Sequence, residues 1–125
     1  MVVGIGTDII EIDRIKKAVL QANFVKKVYT VAEEEYCRSR GAQAAASFAA
    51  RFAAKEAVAK AFGTGFVGGF FADIEILPDE RGCPKVKLYN GFAKTATEKN
   101  ISNIHVSLSH AHDFATAVCV LEVIQ

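Results

Sequence analysis

Residues 42–62, AQAAASFAARFAAKEAVAKAF, constrain this chain more than any other stretch. Alanine gives up no side-chain freedom on entering a helix, so the run predicts one long helix from about Ala42 to Phe62. Phe48, Phe52 and Ala59 recur at helical spacing and give it an apolar stripe to bury. Gly63 supplies the left-handed residue that ends such a helix. Everything else in the chain has to cover it.

The flanking segments provide the cover. VVGIGTDI at the N-terminus is β-branched and predicts a strand over Val2–Thr7. Strand parity puts Val2, Gly4, Gly6 and Asp8 on one side, and the two glycines there leave room for something bulky or for another backbone. Ile12, Ile15, Lys16 and Val19 share a helical period, and TVAEEEYCRSR predicts a helix capped by Thr30 with Glu33 at the capping-box position. GTGFVGGFF is a glycine-rich loop. DIEILPDERGCPKVKLY reads as two strands around a turn, GFAKTATEKN as a helix, and IHVSLSHA with FATAVCVLEV as two strands joined around HAHD. The expected class is α+β: an antiparallel sheet packed on a long central helix, with residues 1–125 forming a single domain.

Composition excludes several function classes. Formal net charge is +1, so no overall field draws the chain to nucleic acid. Cys37, Cys83 and Cys119 are widely spaced, with no C-x-x-C pair, which predicts neither a zinc site nor a disulfide framework but reduced thiols in a cytoplasmic protein. The N-terminal segment lacks the basic start of a signal peptide, and no apolar run is long enough to span a membrane.

Candidate chemistry gathers at a few acids and bases. Asp8 reads either as an N-cap, with Glu11 completing a capping box, or as a metal ligand at a strand end. Magnesium favours one or two carboxylates completed by water and phosphate oxygens, so Asp8 needs a second acid, and Glu56 is the candidate. Glu56 also stands one turn before Lys60, the spacing of an ordinary i,i+4 ion pair. A phosphate could lie between a metal on Glu56 and the Lys60 ammonium, where Lys60 would neutralise charge or serve as a base. Arg51 and Lys55, also i,i+4, read as solvated charge or as an anchor for a second phosphate. The GTG at 63–65 follows a helix instead of opening one, so it is neither a P-loop nor a dinucleotide fingerprint.

His105, Ser107 and Ser109 share one strand face, either a ligand wall or a solvent face. His110 and His112 form a polar H-x-H turn with no third metal ligand nearby. A Ser-His-Asp set drawn from Ser107 or Ser109, His110 and Asp113 lacks a nucleophile elbow. Arg14, Lys16, Lys17, Lys26 and Lys27 make residues 11–27 locally basic, as a solvated face or a docking patch for an acidic protein. A non-enzymatic module that captures an acidic partner is the alternative to an enzyme.

Three blocks taken together, GIGTDIIEIDRI at 4–15, FAARFAAKEAVAKAFGTG at 48–65 and HVSLSHAHDFATAVCVLE at 105–122, resemble the holo-[acyl-carrier-protein] synthases, the short bacterial 4′-phosphopantetheinyl transferases. The resemblance implies transfer of the phosphopantetheine arm of coenzyme A to a serine of apo acyl carrier protein, releasing adenosine 3′,5′-bisphosphate and activating the carrier for fatty acid synthesis. It implies Asp8 and Glu56 as ligands of Mg2+, with Lys60 at the phosphate and assisting deprotonation of the serine. Arg51, Lys60, Gly63 and His105 are implied as coenzyme A contacts. Arg14, Ile15 and Lys17 are implied as carrier contacts, and a homotrimer with shared sites as the assembly. Larger relatives carry a third acid two residues after the first; here that position is Ile10, so water would complete the coordination. No second arginine follows Arg14 on the basic helix.

Overall fold

A computed structural model describes residues 1–125. The chain runs β1 (Val2–Glu11), α1 (Ile12–Ala18), α2 (Ala22–Val28), α3 (Val31–Arg38), α4 (Ala44–Phe62), β2 (Ile74–Pro78), β3 (Pro84–Leu88), α5 (Asn90–Glu98), β4 (Asn103–Ala111) and β5 (Phe114–Glu122). Short 3₁₀ turns lie at Gly41–Gln43 and Phe71–Asp73. All strand pairs are antiparallel: β1-β5-β4 form one sheet and β2-β3 a separate ribbon. The α+β class is as the sequence predicts.

α4 is buried on almost every side, as a helix apolar around its whole circumference must be. β1 rests directly on it. A Cβ at Gly4 would lie 2.2 Å from the Ala61 carbonyl oxygen, and one at Gly6 would lie 2.0 Å from that of Ala57. Two strand residues advance about 6.6 Å and four helical residues about 6 Å, so the pitches match and each glycine admits one helical turn. The space beside Asp8 therefore belongs to the α4 backbone and not to a substrate.

The inner face of the sheet continues across the register Gly6–Cys119–Val106 and Asp8–Ala117–Leu108. Cys37 and Cys119 are buried, Cys83 is exposed, and all three are free thiols. Phe24, Tyr29 and Phe48, with Phe52, Phe71 and Phe66, form a chain of aromatic contacts along the α2 side of α4.

Local signals hold at several ends. Thr30 caps α3 in a capping box with Glu33, and Gly63 closes α4 at φ 80°. β1 runs on to Glu11, past the predicted end at Thr7, because β5 pairs with it as far as Phe114. Asp8 therefore caps nothing; Glu11 is the residue before α1, and its side chain makes no cap bond. α2 has no clear sequence signal and forms because Val25 and Val28 reach the core.

Candidate functional site

β1 delivers Asp8 to the side of α4 that carries Glu56 and Lys60. The delivery follows from the glycine contacts: Gly4 sits at Ala61 and Gly6 at Ala57, so Asp8 arrives one turn further toward the α4 N-terminus. Lys60 Nζ donates to Asp8 Oδ1 at 3.0 Å and to the Thr7 carbonyl at 3.1 Å. The i,i+4 ion pair between Glu56 and Lys60 does not form, since Lys60 reaches across to the strand. Glu56 is half-buried, and its carboxyl is held above the usual range, first by burial and then by the charge of Asp8, with Lys60 opposing. A carboxyl whose ionisation is opposed by burial and by a neighbouring carboxylate, beside one ammonium, belongs to a site that a cation would stabilise.

The rest of α4 departs from the sequence expectation. Lys55 is neither solvated nor an anion anchor. It is fully buried, as is Glu33, and the two pair at 2.7 Å. Lys55 Nζ also donates to the carbonyls of Phe71 and Ile74, and burial lowers its pKa, against the Glu33 charge. Arg51 is 7% exposed and lines a cavity of about 500 Å³ with Arg40, Gln43, Ser47, Ser109 and His110. Its Nη1 donates to Ser47 Oγ at 3.2 Å, while its Nε has no partner. A buried guanidinium with a free donor and no acid beside it suits an anionic ligand.

His105 lies elsewhere. The register Ile5–Val120–His105 puts it on the outer face of the sheet, where its Nε2 lies 3.1 Å from Glu122 Oε1. That contact and the Asn103 amide hold the Glu122 carboxyl below its usual range. Within one chain, His105 and Arg51 do not share a cavity. Sequence reasoning took His110 for part of a polar turn, although its parity with Val106 and Leu108 puts it on the sheet face toward α4, and it passed over Arg40, which carries no local signal. Ser109 and His110 both border the Arg51 cavity, but no hydrogen bond joins His110 to Ser107, Ser109 or Asp113, so the serine–histidine–aspartate set does not assemble.

On α1, Arg14 and Lys17 are exposed and Ile15 is not: at 2% exposure it belongs to the core, leaving the charged residues to meet any partner. Lys17 pairs with Asp13 at 3.1 Å on the surface. Gly63 has open space where a Cβ would point. No cluster of three or more His, Cys, Asp or Glu residues is present. A metal here would therefore take two protein carboxylates and draw its other oxygens from substrate and water, which is the habit of magnesium.

With that geometry in view, residues 4–119 match the 4′-phosphopantetheinyl transferase superfamily. The chain is 46% identical to the holo-[acyl-carrier-protein] synthase of Caldicellulosiruptor saccharolyticus over 98% of both chains. The chain belongs to this family. Among solved structures, it superposes on the holo-[acyl-carrier-protein] synthase of Neisseria meningitidis with a TM-score of 0.87 at 35% identity, covering 98% of this chain and 99% of that one. It also matches the Bacillus anthracis synthase, solved in complex with coenzyme A (3′,5′-ADP), with a TM-score of 0.82 at 37% identity over 99% of each chain. As a member of the holo-[acyl-carrier-protein] synthase family, this chain is a 4′-phosphopantetheinyl transferase, and the non-enzymatic alternative is set aside.

Proposed function

We infer that residues 1–125 act as one transferase domain that moves the 4′-phosphopantetheine of coenzyme A onto a serine of apo acyl carrier protein. The observation that carries this reading is the meeting of Asp8, Glu56 and Lys60, brought from β1 and α4 to one place. The serine oxygen attacks the phosphorus bearing the pantetheine arm, and the P–O bond to the second phosphate breaks. Adenosine 3′,5′-bisphosphate leaves, and the serine proton passes to a water while the Lys60 ammonium compensates the charge that develops on the attacking oxygen and the phosphate. Asp8 and Glu56 would hold Mg2+, which when bound neutralises charge on the pyrophosphate. Phosphoryl transfer asks little covalent work of a protein, mainly alignment and charge compensation, and this set of residues supplies both.

Arg51 would receive the 3′-phosphate in its cavity, with Arg40 and His110 alongside, and Gly63 leaves room for the cofactor beside Lys60. Arg14 and Lys17 on α1 would steer the acidic carrier. We also propose a homotrimer. Val3, Ile5, Ile9 and Phe114 are exposed hydrophobic residues of β1 and β5, and soluble monomers seldom leave so apolar a patch in water. His105, across the outer sheet face from Ile5, would then serve coenzyme A bound against a neighbouring subunit. The free thiols fit a cytoplasmic enzyme that supplies holo carrier for fatty acid synthesis. No helix is long and apolar enough to cross a membrane.

The test is intact mass of apo acyl carrier protein after incubation with this protein and coenzyme A, with magnesium and with a chelator. The expected result is a gain of one phosphopantetheinyl group that the chelator abolishes. No gain with several apo carriers refutes the transferase reading. A gain that survives chelation refutes the metal role of Asp8 and Glu56.

A further inference from the structure

Arg51 reaches its cavity on a long, flexible side chain that something must aim. A long guanidinium side chain with an unpartnered Nε has no bond that fixes its whole fork. Its support comes from α3. The Tyr36 ring lies under the guanidinium, 4.6 Å from its carbon to the ring centroid. On the neighbouring rung, Ser47 Oγ donates to Cys37 Sγ at 3.3 Å while accepting from Arg51. On the other side, Glu33 meets Lys55. The partners 33–55, 36–51 and 37–47 run in opposite senses, so α3 and α4 are joined antiparallel by three successive rungs.

The Glu33–Lys55 rung is the one that cannot slip. Glu33 Oε1 accepts from the Thr30 N–H at 2.9 Å as well as from Lys55, and Oε2 accepts from the Ile76 N–H at 2.8 Å. Lys55 is tied in turn to the Phe71 and Ile74 carbonyls. The pair thus locks α3, α4 and the start of β2 in one arrangement. Apolar residues of similar size would stabilise a core as well or better, so a buried pair with every donor and acceptor matched is best explained by the geometry it imposes.

We propose that the Glu33–Lys55 pair and the Tyr36 ring are positioning elements for anion recognition, holding α3 in the register on α4 that aims the Arg51 guanidinium into its cavity. They touch no reacting atom. The proposal rests on the reading that this cavity takes the 3′-phosphate of coenzyme A.

The experiment compares KM and kcat for coenzyme A and for 3′-dephospho-coenzyme A across Glu33→Gln, Tyr36→Leu, Tyr36→Phe and Arg51→Met. Glu33→Gln and Tyr36→Leu should raise KM for coenzyme A by roughly tenfold, the order expected when one charge-assisted contact is misaimed. KM for the dephospho compound and both kcat values should stay near wild type. Tyr36→Phe keeps the ring and should keep the wild-type preference. Arg51→Met is the control for the underlying reading and should lose the preference altogether. If Arg51→Met loses it while Glu33→Gln and Tyr36→Leu keep it, the positioning proposal is overturned and the cavity reading survives. If Arg51→Met keeps it, the cavity reading fails and the proposal with it. Equal losses on both substrates would mean a general structural role, and also overturn the proposal. Should Glu33→Gln fail to fold, the double variant Glu33→Gln/Lys55→Met, which leaves no unpaired charge in the core, takes its place in the same comparison and is read by the same outcomes.

Discussion

Gly6→Ala tests the contact that delivers Asp8 to the site. The added methyl would lie 2.0 Å from the Ala57 carbonyl oxygen and 2.7 Å from the Ala61 nitrogen, both backbone atoms of α4. A real Cβ keeps at least 3.0 Å from such an oxygen. Strand and helix must therefore part by about 1 Å, since neither backbone can rotate away as a side chain could. Overpacking of this kind costs about 1–3 kcal/mol. The parting also carries Asp8, two residues on, away from Glu56 and Lys60, and a shift of about 1 Å in a positioned group costs up to ~10²-fold in rate. Urea unfolding and carrier modification followed by intact mass measure the two effects on one preparation. Gly63→Ala is the contrast: nothing lies within 4 Å of its Cβ, and φ of 80° should cost about 1 kcal/mol through backbone strain. A Gly6→Ala protein with wild-type stability and rate would refute the close seating of β1 on α4.

Other consequences are as direct. Glu56→Gln should lower turnover by ~10²-fold or more while leaving stability nearly unchanged, because no ion pair with Lys60 exists to be lost; a large fall in melting temperature would contradict this. Glu56 binds its proton more tightly folded than unfolded, so its contribution should weaken as pH rises from the ordinary carboxylate value through the raised folded one, and be flat above it. Glu56→Gln should remove that slope from a stability–pH profile, and an unchanged slope would show that the group is not shifted. Lys55→Met strands the Glu33 charge in the core and should cost about 3–5 kcal/mol in urea unfolding; a loss under about 1 kcal/mol would mean that the pair is not buried. Thr30→Ala should cost about 1 kcal/mol through the lost cap of α3, with no loss disproving the capping box. If the proposed trimer packs through the outer face of β1 and β5, Ile5→Glu should yield monomers by light scattering and reduce activity with them; an assembly that Ile5→Glu leaves unchanged would refute that interface.

Local chemistry in the sequence determined much of this molecule. Alanine over 44–62 specifies a helix wherever it is placed, Thr30 with Glu33 specifies a helix start, and Gly63 an end, because each acts within a few residues. Alternation likewise marked β4 and β5 and separated His105 from Val106. The motif blocks around Asp8, Glu56 and Lys60 pointed to the family for the same reason: chemistry carried by residue type and spacing is legible in one dimension.

Tertiary structure decided which partner each charge found. Lys60 and Glu56 have the spacing of an ion pair, yet Lys60 bonds a strand 52 residues away. Lys55 looked like one more surface cation until α3 closed over it with Glu33. Gly4 and Gly6 announced a close approach without saying to what, and the answer was a helix some fifty residues distant. In each case the sequence sets what a side chain can do, while burial and long-range contact choose among its options, because desolvation makes a buried charge take the partner the fold brings to it.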